Sequence, residues 1–418
     1  MKNGVLALPL LFFLCGCAGK CEDNVVSTKL AQDVGYLASD ELEGRETGSA
    51  GEQKAAEFIA ERFENLGLQP KGEDGWFQTF TFTPHPPMQM HGSGDTASLG
   101  MAIVNEISGR NVIGFMDNGM ENTVVIGAHY DHLGWGGESS LHSGDRAIHN
   151  GADDNASGVG ALLMLAERLR TKYSENNYLF MAFSGEEKGL WGSNYFCDEP
   201  TIDLSSVNYM LNMDMVGRLN EERTLAVYGV GTSPSWVPML ESLEIDSITI
   251  TTTESGVGPS DHTSFYLEDI PVLHFFTGQH SDYHKPTDDI EKINWDGIVS
   301  VVNYIEGIIA NVAYEGKLEF TKTKDEDNDS TPSFKVTLGV MPDYLYGGVG
   351  MRIDGVTEGR PAHGAGMIDG DIVIAMGDSS VTDMKSYMRC LGAFEAGQTT
   401  PVIVIRDSAE VLIDVLWD

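Results

Sequence analysis

The sequence predicts an α/β domain with a largely parallel sheet, followed by a small β-rich domain. Short apolar strands alternate with helical segments over the first three quarters of the chain, and polar residues follow several of these strands. Near the C-terminus, from 334 to 418, short strands alternate with glycines instead. At 418 residues, the chain is long enough for two domains.

The strands of the larger domain are short and almost wholly apolar. They are predicted at 123–128, 178–183, 207–212 and 271–276, with a half-buried strand around Phe80 and Phe82. Runs of this kind are typical of strands that are covered on both faces. The sequence therefore predicts helices on both sides of the sheet.

Three helices are predicted beside these strands. Ser49 and Glu52 form a capping-box pattern that begins the first helix, which Gly67 ends. The second helix is predicted at about 156–170, after a loop rich in glycine and serine. The third is a long amphipathic helix at 293–312, which is the last element of the larger domain. We predict that this domain extends from 28 to 315.

Charge and the first residues bear on location and partners. Sixty-three acidic residues against 26 basic ones give a net charge of -37, which disfavours nucleic acid and anionic membranes as partners.

The first residues resemble an export signal. Lys2 precedes an apolar run at 5–14 that is too short for a membrane span and suits a signal peptide. The segment LCGC at 14–17 resembles a bacterial lipobox, in which Cys17 would carry a lipid. We predict that 1–21 hold the leader and the start of an exported protein, either a lipoprotein anchored in a bacterial envelope or a periplasmic or secreted one.

Five residues of the larger domain are candidate metal ligands: His129, Asp154, Glu187, Asp214 and His284. They follow predicted strands or lie in short polar turns, and open α/β sheets place ligand sites at the carboxyl ends of their strands. Imidazoles and carboxylates bind zinc, and two ions about 3.5–4 Å apart need a bridging carboxylate. One such Asp or His alone is more often a helix cap or an ordinary polar group, so the prediction depends on the joint pattern.

The segments around these residues resemble the two-zinc aminopeptidase family, which includes bacterial leucyl aminopeptidases and plasma glutamate carboxypeptidase. In order, the motifs are LEGRETGS at 42–49, GAHYDH at 127–132, GADDNASG at 151–158, FSGEEKGLWGS at 183–193, NMD at 212–214 and DYH at 282–284. The resemblance implies a three-layer α/β/α sandwich with a mixed, largely parallel central sheet. It also implies peptide substrates and two zinc ions per chain.

The resemblance further implies a role for each candidate. His129 and Asp214 would bind one zinc ion, and Glu187 and His284 the other. Asp154 would bridge both ions and precede a cis peptide bond. Two catalytic residues complete the set: Asp131, which would orient His129, and Glu186, which would be the general base.

Neighbouring polar residues receive less specific predictions. We assign Ser260, Asp261 and His262 to the structure of the pocket, and three further histidines to the loop after the first ligand: His132, His142 and His149.

The predicted activity is that of an aminopeptidase that hydrolyses N-terminal residues from peptides through a zinc-bridged hydroxide. Dipeptidase or carboxypeptidase activity at the same site stays an alternative, as does an inactive scaffold. Glutaminyl cyclisation, found in a divergent branch of the family, is a more distant alternative because those relatives work with one zinc ion.

The C-terminal region resembles a PDZ domain. Residues 316–333 are charged and poor in apolar side chains, which is typical of a linker. In the predicted domain at 334–418, YGGVGMRI at 346–353 resembles a carboxylate-binding loop with its following strand, and PAHGAGMIDGDI at 361–372 resembles the next turn and strand. Such domains add an extended peptide to a sheet edge, so a peptide or a protein C-terminus is the predicted partner. A purely structural role for this domain stays open.

Overall fold

The computed structural model describes residues 18–83, 106–323 except 138 and 143, and 336–417 except 343–345, 347, 357, 358, 378, 383 and 407. The predicted leader with Cys17 and the greater part of the predicted linker lie outside the described residues. Among the described helices, none combines the length and apolar character that crossing a bilayer requires.

Nine strands of the described residues form one mixed sheet: β1 (Gln69–Pro70), β2 (Phe77–Phe82), β3 (Ile107–Met116), β4 (Thr123–His129), β5 (Asn177–Phe183), β6 (Val207–Met213), β7 (Thr224–Tyr228), β8 (Thr249–Thr253) and β9 (Val272–Phe276). Their order is β1-β3-β5-β4-β6-β9-β7-β8, with β2 also paired to β3. Strands β5, β4, β6 and β9 are parallel, whereas β3 is antiparallel to β5 and β7 is antiparallel to β9. The predicted mixed, largely parallel sheet is confirmed.

Helices cover both faces of this sheet. One apolar core joins the strands to α1 (Ala18–Leu37), α2 (Ala50–Asn65), α3 (Gly158–Leu169), α5 (Trp236–Ser242) and α7 (Trp295–Val312). A second core, on the opposite face, contains side chains of α4 (Trp191–Asp198) and α6 (His262–Leu267). In β4, Val124 and Ile126 belong to the first core and Val125 to the second, as strand alternation requires. The predicted three-layer arrangement is confirmed.

The N-terminus of α2 is hydrogen-bonded to residues that follow the central strands. The Ser49 side chain accepts a hydrogen bond from the Glu52 amide at 3.1 Å, which confirms the predicted N-cap. The buried Glu52 carboxylate accepts hydrogen bonds from the Tyr130 hydroxyl at 2.8 Å and the Ser184 hydroxyl at 2.9 Å. Tyr130 and Ser184 each directly follow a central strand, so the helix start is tied to the carboxyl edge of the sheet.

The described part of the predicted linker packs against the larger domain. Leu318 is buried, and its amide donates a hydrogen bond to the Asn208 side chain at 2.7 Å. The Thr321 amide donates to the Thr232 carbonyl at 2.8 Å, and the Thr323 amide to the Tyr266 hydroxyl at 3.0 Å. Packing against the larger domain therefore continues at least to 323.

The C-terminal residues form a separate β-rich unit. Its described strands are β10 (Val340–Pro342), β11 (Met351–Val356), β12 (Ile372–Met376), β13 (Ser379–Ser380), β14 (Thr399–Arg406) and β15 (Ala409–Leu416), with helices α8 (Pro361–Ala365) and α9 (Met384–Leu391). The described strands pair antiparallel, and the unit has its own core, which includes Val373, Val404 and Trp417. A β-rich second domain is confirmed, and the PDZ resemblance stays a prediction.

Candidate metal centre

The five predicted ligands converge at the carboxyl edge of the parallel strands. His129 ends β4, Glu187 lies four residues after β5, and Asp214 directly follows β6. Asp154 lies in the turn before α3, and His284 lies in the loop after β9. All five line one cleft with an empty volume of about 520 Å³.

Asp154 lies between the two predicted ligand pairs. One of its oxygens, Oδ1, is 3.4 Å from His129 Nε2, which is 3.2 Å from Asp214 Oδ1. Its other oxygen, Oδ2, is 3.3 Å from His284 Nε2, which is also 3.3 Å from Glu187 Oε2. Each oxygen of the carboxylate thus faces a different imidazole.

These spacings fit the chemistry of zinc. Ligand atoms about 2.0–2.2 Å from a tetrahedral ion lie about 3.3–3.6 Å from one another, since a tetrahedron's edge is about 1.63 times the centre-to-corner distance. Hydrogen bonds from a charged donor to a carboxylate are shorter, at about 2.7–2.9 Å. The four spacings around Asp154 lie near the first range, so these residues fit a metal on either side of the carboxylate.

Backbone carbonyls orient the two imidazole rings through the Nδ1 atoms, which face away from the predicted metal positions. His284 Nδ1 donates a hydrogen bond to the Ser139 carbonyl at 2.8 Å, which leaves Nε2 available to a metal. His129 Nδ1 is 3.2 Å from the Asp131 carbonyl and 3.7 Å from the Asp131 carboxylate. The main chain of Asp131 is therefore the nearer partner of His129. The Asp131 carboxylate accepts hydrogen bonds from the Thr47 hydroxyl at 2.8 Å and the Glu186 amide at 3.2 Å.

The turn that carries Asp154 is fixed by polar groups. The peptide bond between Asp154 and Asn155 is cis, as the resemblance implies. The Asp288 carboxylate accepts hydrogen bonds from the amides of Asp153 and Asp154, each at 3.0 Å. The Asn155 side chain donates to the Met213 carbonyl at 3.0 Å, next to Asp214. Sequence reasoning missed Asp288, because no spacing pattern connects it with a turn about 135 residues earlier.

Arg45 is a second residue that sequence reasoning missed. It is fully buried, and its guanidinium donates hydrogen bonds to the carbonyls of Tyr130 at 2.8 Å, Asn150 at 2.6 Å, Gly151 at 3.1 Å and also Leu37. Burial lowers its pKa to about 10 against the opposing effect of the site carboxylates. The only sequence feature that could have indicated this role of Arg45 was its position within the LEGRETGS motif.

The side chain of His132 lies in the metal centre, although the sequence analysis gave it no role there. Its ring is fully buried, and Nδ1 is 2.7 Å from Glu187 Oε1. Ligand-type atoms of His132, Asp154 and Glu187 lie within 4.8 Å of one another, as do those of His129, Glu186 and Asp214. His132 lies in the loop after β4, as predicted, but its side chain also belongs to the metal centre, which the sequence did not indicate. His142 is exposed, and His149 Nε2 is hydrogen-bonded to the Ser140 hydroxyl at 2.7 Å.

The Ser260 motif contacts the centre through one residue. The Ser260 hydroxyl donates a hydrogen bond to Asp214 Oδ2 at 2.8 Å. Asp261 and His262 are fully buried, and the His262 ring stacks on His274 with centroids 4.4 Å apart. Because His274 lines the cleft, the motif supports the pocket wall and one predicted ligand.

The two adjacent glutamates have opposite electrostatic environments. Burial raises the pKa of Glu186 well above its usual value, against the opposing charge of His129 and with further raising contributions from Asp214 and Glu187. Burial also opposes ionisation of Glu187, but His284 and His132 lower its pKa to about 2. Adjacent acids whose pKa values are pushed apart are typical of different roles in one site.

Comparisons with known proteins agree with this geometry. Residues 111–308 match the model of Peptidase family M28. Aminopeptidase YwaD of Bacillus subtilis is 31% identical over 186 residues, which cover 41% of this chain and 37% of that protein. Aminopeptidase Y of Saccharomyces cerevisiae is 27% identical over 258 residues, covering 56% of this chain and 45% of that protein. The chain thus spans less than half the length of these two relatives.

Solved structures show the same fold. A zinc aminopeptidase from Bacillus subtilis has a TM-score of 0.53 at 18% identity, covering 70% of this chain and 95% of the other. An aminopeptidase from an Aneurinibacillus species has a TM-score of 0.51 at 17% identity, covering 72% of this chain and 96% of the other. The chain therefore shares its fold with these two aminopeptidases.

Proposed function

We infer that residues 111–308 belong to Peptidase family M28, and we propose that the chain is an aminopeptidase that uses two zinc ions to hydrolyse peptides. The observation that carries the proposal is the position of Asp154, whose two oxygens lie 3.4 and 3.3 Å from different imidazoles. One ion would be held by His129, Asp154 and Asp214, and the other by Asp154, Glu187 and His284. Bound zinc would polarise the substrate carbonyl and lower the pKa of water from about 15.7 toward about 7.

The chain's own residues supply the proton transfer. Glu186 lines the cleft, and its main-chain amide is held by the Asp131 carboxylate at 3.2 Å. We propose that Glu186 takes the proton of the attacking water and gives it to the leaving amine. Proton transfer of this kind contributes roughly 10²–10⁴ to the rate. Its raised pKa suits the second half of that exchange, in which the protonated carboxyl must act as an acid.

The lining of the cleft favours a free amine over a free carboxylate as the recognised group. Of its carboxylates, Asp154, Glu187 and Asp214 would be neutralised by the two zinc ions, and Glu186 would remain. Among the described residues that line it, none is Lys or Arg. A carboxypeptidase needs a cation to pair with the C-terminal carboxylate of its substrate, and these lining residues supply none. This composition supports removal of N-terminal residues.

Hydrolysis of matched peptides tests the proposal. The purified chain, stripped of metal and reloaded with zinc, is given aminoacyl peptides with free or acetylated N-termini, and with free or amidated C-termini. We expect zinc-dependent release of the N-terminal residue from free N-termini, whatever the C-terminus. Cleavage that requires a free C-terminus would assign a carboxypeptidase instead. No turnover by the zinc-loaded chain would favour the inactive scaffold.

For the C-terminal unit, we propose binding of an extended peptide with a free C-terminus. The proposal is supported by the PDZ resemblance at 346–353 and 361–372 and by the antiparallel sheet. Fluorescence polarisation with peptides that differ only in a free or amidated C-terminus tests it. Equal binding of the two peptides would contradict the proposal.

We also propose export with a lipid on Cys17, which is supported by the leader pattern alone. In cell fractionation, Cys17→Ala should move the protein out of the membrane fraction. An unchanged distribution would contradict the lipid anchor.

A further inference from the structure

His132 lies in the metal centre but outside the predicted ligand set. Its ring is fully buried, with Nδ1 2.7 Å from Glu187 Oε1 and 3.9 Å from Asp154 Oδ2. The ring is confined by Gly151, where an added Cβ would come within 2.5 Å of His132 Cδ2. The His132 amide also donates a hydrogen bond to the Arg45 carbonyl at 3.3 Å. The ring therefore has a fixed position against Glu187.

The distances distinguish a hydrogen-bond donor from a metal ligand. A spacing of 2.7 Å is that of a strong hydrogen bond to a carboxylate, and it is shorter than the roughly 3.3–3.6 Å between two ligands of one zinc ion. The other oxygen of the same carboxylate, Glu187 Oε2, has the ligand-like spacing of 3.3 Å to His284 Nε2. Glu187 thus has one oxygen occupied by His132 and the other directed toward the predicted metal position.

We propose that His132 is a positioning residue, whose Nδ1–H donates a hydrogen bond to Glu187 Oε1 and so directs Oε2 toward the metal shared with His284. This inference rests on the proposed function, because it requires a metal between Asp154, Glu187 and His284. A glutamate side chain has three rotatable bonds, and anchoring one oxygen removes freedom that metal binding would otherwise have to remove. Loss of such a partner typically weakens metal affinity about 10–100-fold.

The effect should be confined to one side of the centre. Among the described residues, the side chains of His129 and Asp214 contact each other, Asp154, the Asp131 carbonyl and the Ser260 hydroxyl within 3.4 Å. None of these contacts involves His132. Its loss should therefore weaken the ion at Glu187 and His284 and leave the ion at His129 and Asp214 unchanged.

Zinc titration of the metal-stripped full chain tests this inference. Calorimetry gives the affinity of each ion for the wild-type protein and for His132→Asn and His132→Gln. The Asn amide nitrogen reaches nearly the position of Nδ1 and can donate, but it is a poor zinc ligand. The Gln amide nitrogen extends past that position. His142→Asn removes an exposed imidazole from the same loop and is the matched control.

We expect His132→Gln to lower the affinity for one zinc ion about 10–100-fold. The affinities of His132→Asn and of the control should stay close to those of the wild type. Equal weakening of one ion in both His132 variants would mean that the ring is itself a ligand, and the inference would be wrong. Wild-type affinity in His132→Gln, or equal weakening of both ions, would also overturn it. A wild-type chain that binds no zinc would refute the proposed function instead.

Discussion

Glu186 and Glu187 are adjacent in sequence, yet the structure gives them different partners. Glu187 faces His132 and His284, whereas Glu186 belongs to the group of His129 and Asp214. Zinc is expected to depend on Glu187 and proton transfer on Glu186.

Glu186→Gln should separate these two functions. The amide keeps the shape of the side chain but cannot accept a proton, so kcat/KM should fall by roughly 10²–10⁴ while bound zinc stays at the wild-type level. Steady-state kinetics and elemental analysis of the same preparation measure both quantities. Glu187→Gln is the matched change and should lose one of the two zinc ions. A kcat/KM of Glu186→Gln within a few-fold of the wild type would exclude Glu186 as the general base.

Arg45→Lys should destabilise the protein although the charge is kept. The buried guanidinium donates hydrogen bonds to four carbonyls from three separate segments. An ammonium group cannot reproduce this planar set of donors, so buried carbonyls would lose their partners. We expect the free energy of unfolding to fall by roughly 2–5 kcal/mol. Urea denaturation measures it, and Arg146→Lys, at an exposed arginine, should change it by less than about 0.5 kcal/mol. Equal effects of the two substitutions would contradict this role for Arg45.

The sequence allowed prediction of the convergence of the candidate ligands, because each lies near a recognisable strand end or in a recognisable motif. It did not allow prediction of Arg45, His132 or Asp288 as parts of the centre. The side-chain hydrogen bonds of all three, apart from that of Arg45 to the Leu37 carbonyl, join residues at least 55 positions apart. A spacing pattern records neighbours along the chain, so such partners become visible only once the segments are brought together.

At the scale of elements, the four central parallel strands were predictable, whereas β3, β7 and β8 were not. Strands β4, β5, β6 and β9 are buried along their whole length, so their apolar runs stand out. Strand β3 carries the polar residues Arg110 and Asn111 in its interior. Asn111 is fully buried and donates hydrogen bonds to Gln78 at 3.1 Å and to the Gly192 carbonyl at 2.8 Å. Because tertiary partners satisfy this polar group, the sequence pattern alone does not indicate a strand.

Gly51→Ala should destabilise the chain even though alanine favours helices. Gly51 lies in the first turn of α2, where an added Cβ would come within 1.8 Å of the Leu42 carbonyl oxygen. The clash involves backbone atoms, so the helix start and the Asp40–Leu42 turn would have to separate. We expect a loss of roughly 1–3 kcal/mol, which exceeds the helix-propensity gain of about 1 kcal/mol. Thermal and urea unfolding measure it, with Gln53→Ala at an exposed site of the same helix as control. A stabilised Gly51→Ala variant would show that α2 does not pack this closely.

At the scale of the whole molecule, metal and stability should be coupled. The chain has a net charge of -37, and the centre gathers the carboxylates of Asp154, Glu187 and Asp214 within one cleft. A ligand that binds only the folded state, at 1,000 times its Kd, stabilises that state by about 4 kcal/mol. Chelation should therefore lower Tm by several degrees, and added zinc should restore it. Differential scanning calorimetry measures this shift, and Asp154→Ala should abolish the response to zinc. A Tm independent of zinc would contradict a metal centre in the folded chain.

The last prediction concerns where the larger domain ends. The segment after α7 buries Leu318 and forms hydrogen bonds with Asn208, Thr232 and Tyr266. The core of the C-terminal unit consists of residues from 336 onward. A chain that stops after Thr323 should therefore keep the stability of the larger domain and its turnover of a small aminoacyl substrate. A chain that stops after Tyr314 lacks these contacts, and its free energy of unfolding should be lower by roughly 2–5 kcal/mol. Far-UV circular dichroism during urea unfolding, with turnover measured in parallel, compares the two. Equal stability would mean that 315–323 contribute nothing to the domain, whereas lost turnover in the longer chain would mean that the C-terminal unit is needed to form the site.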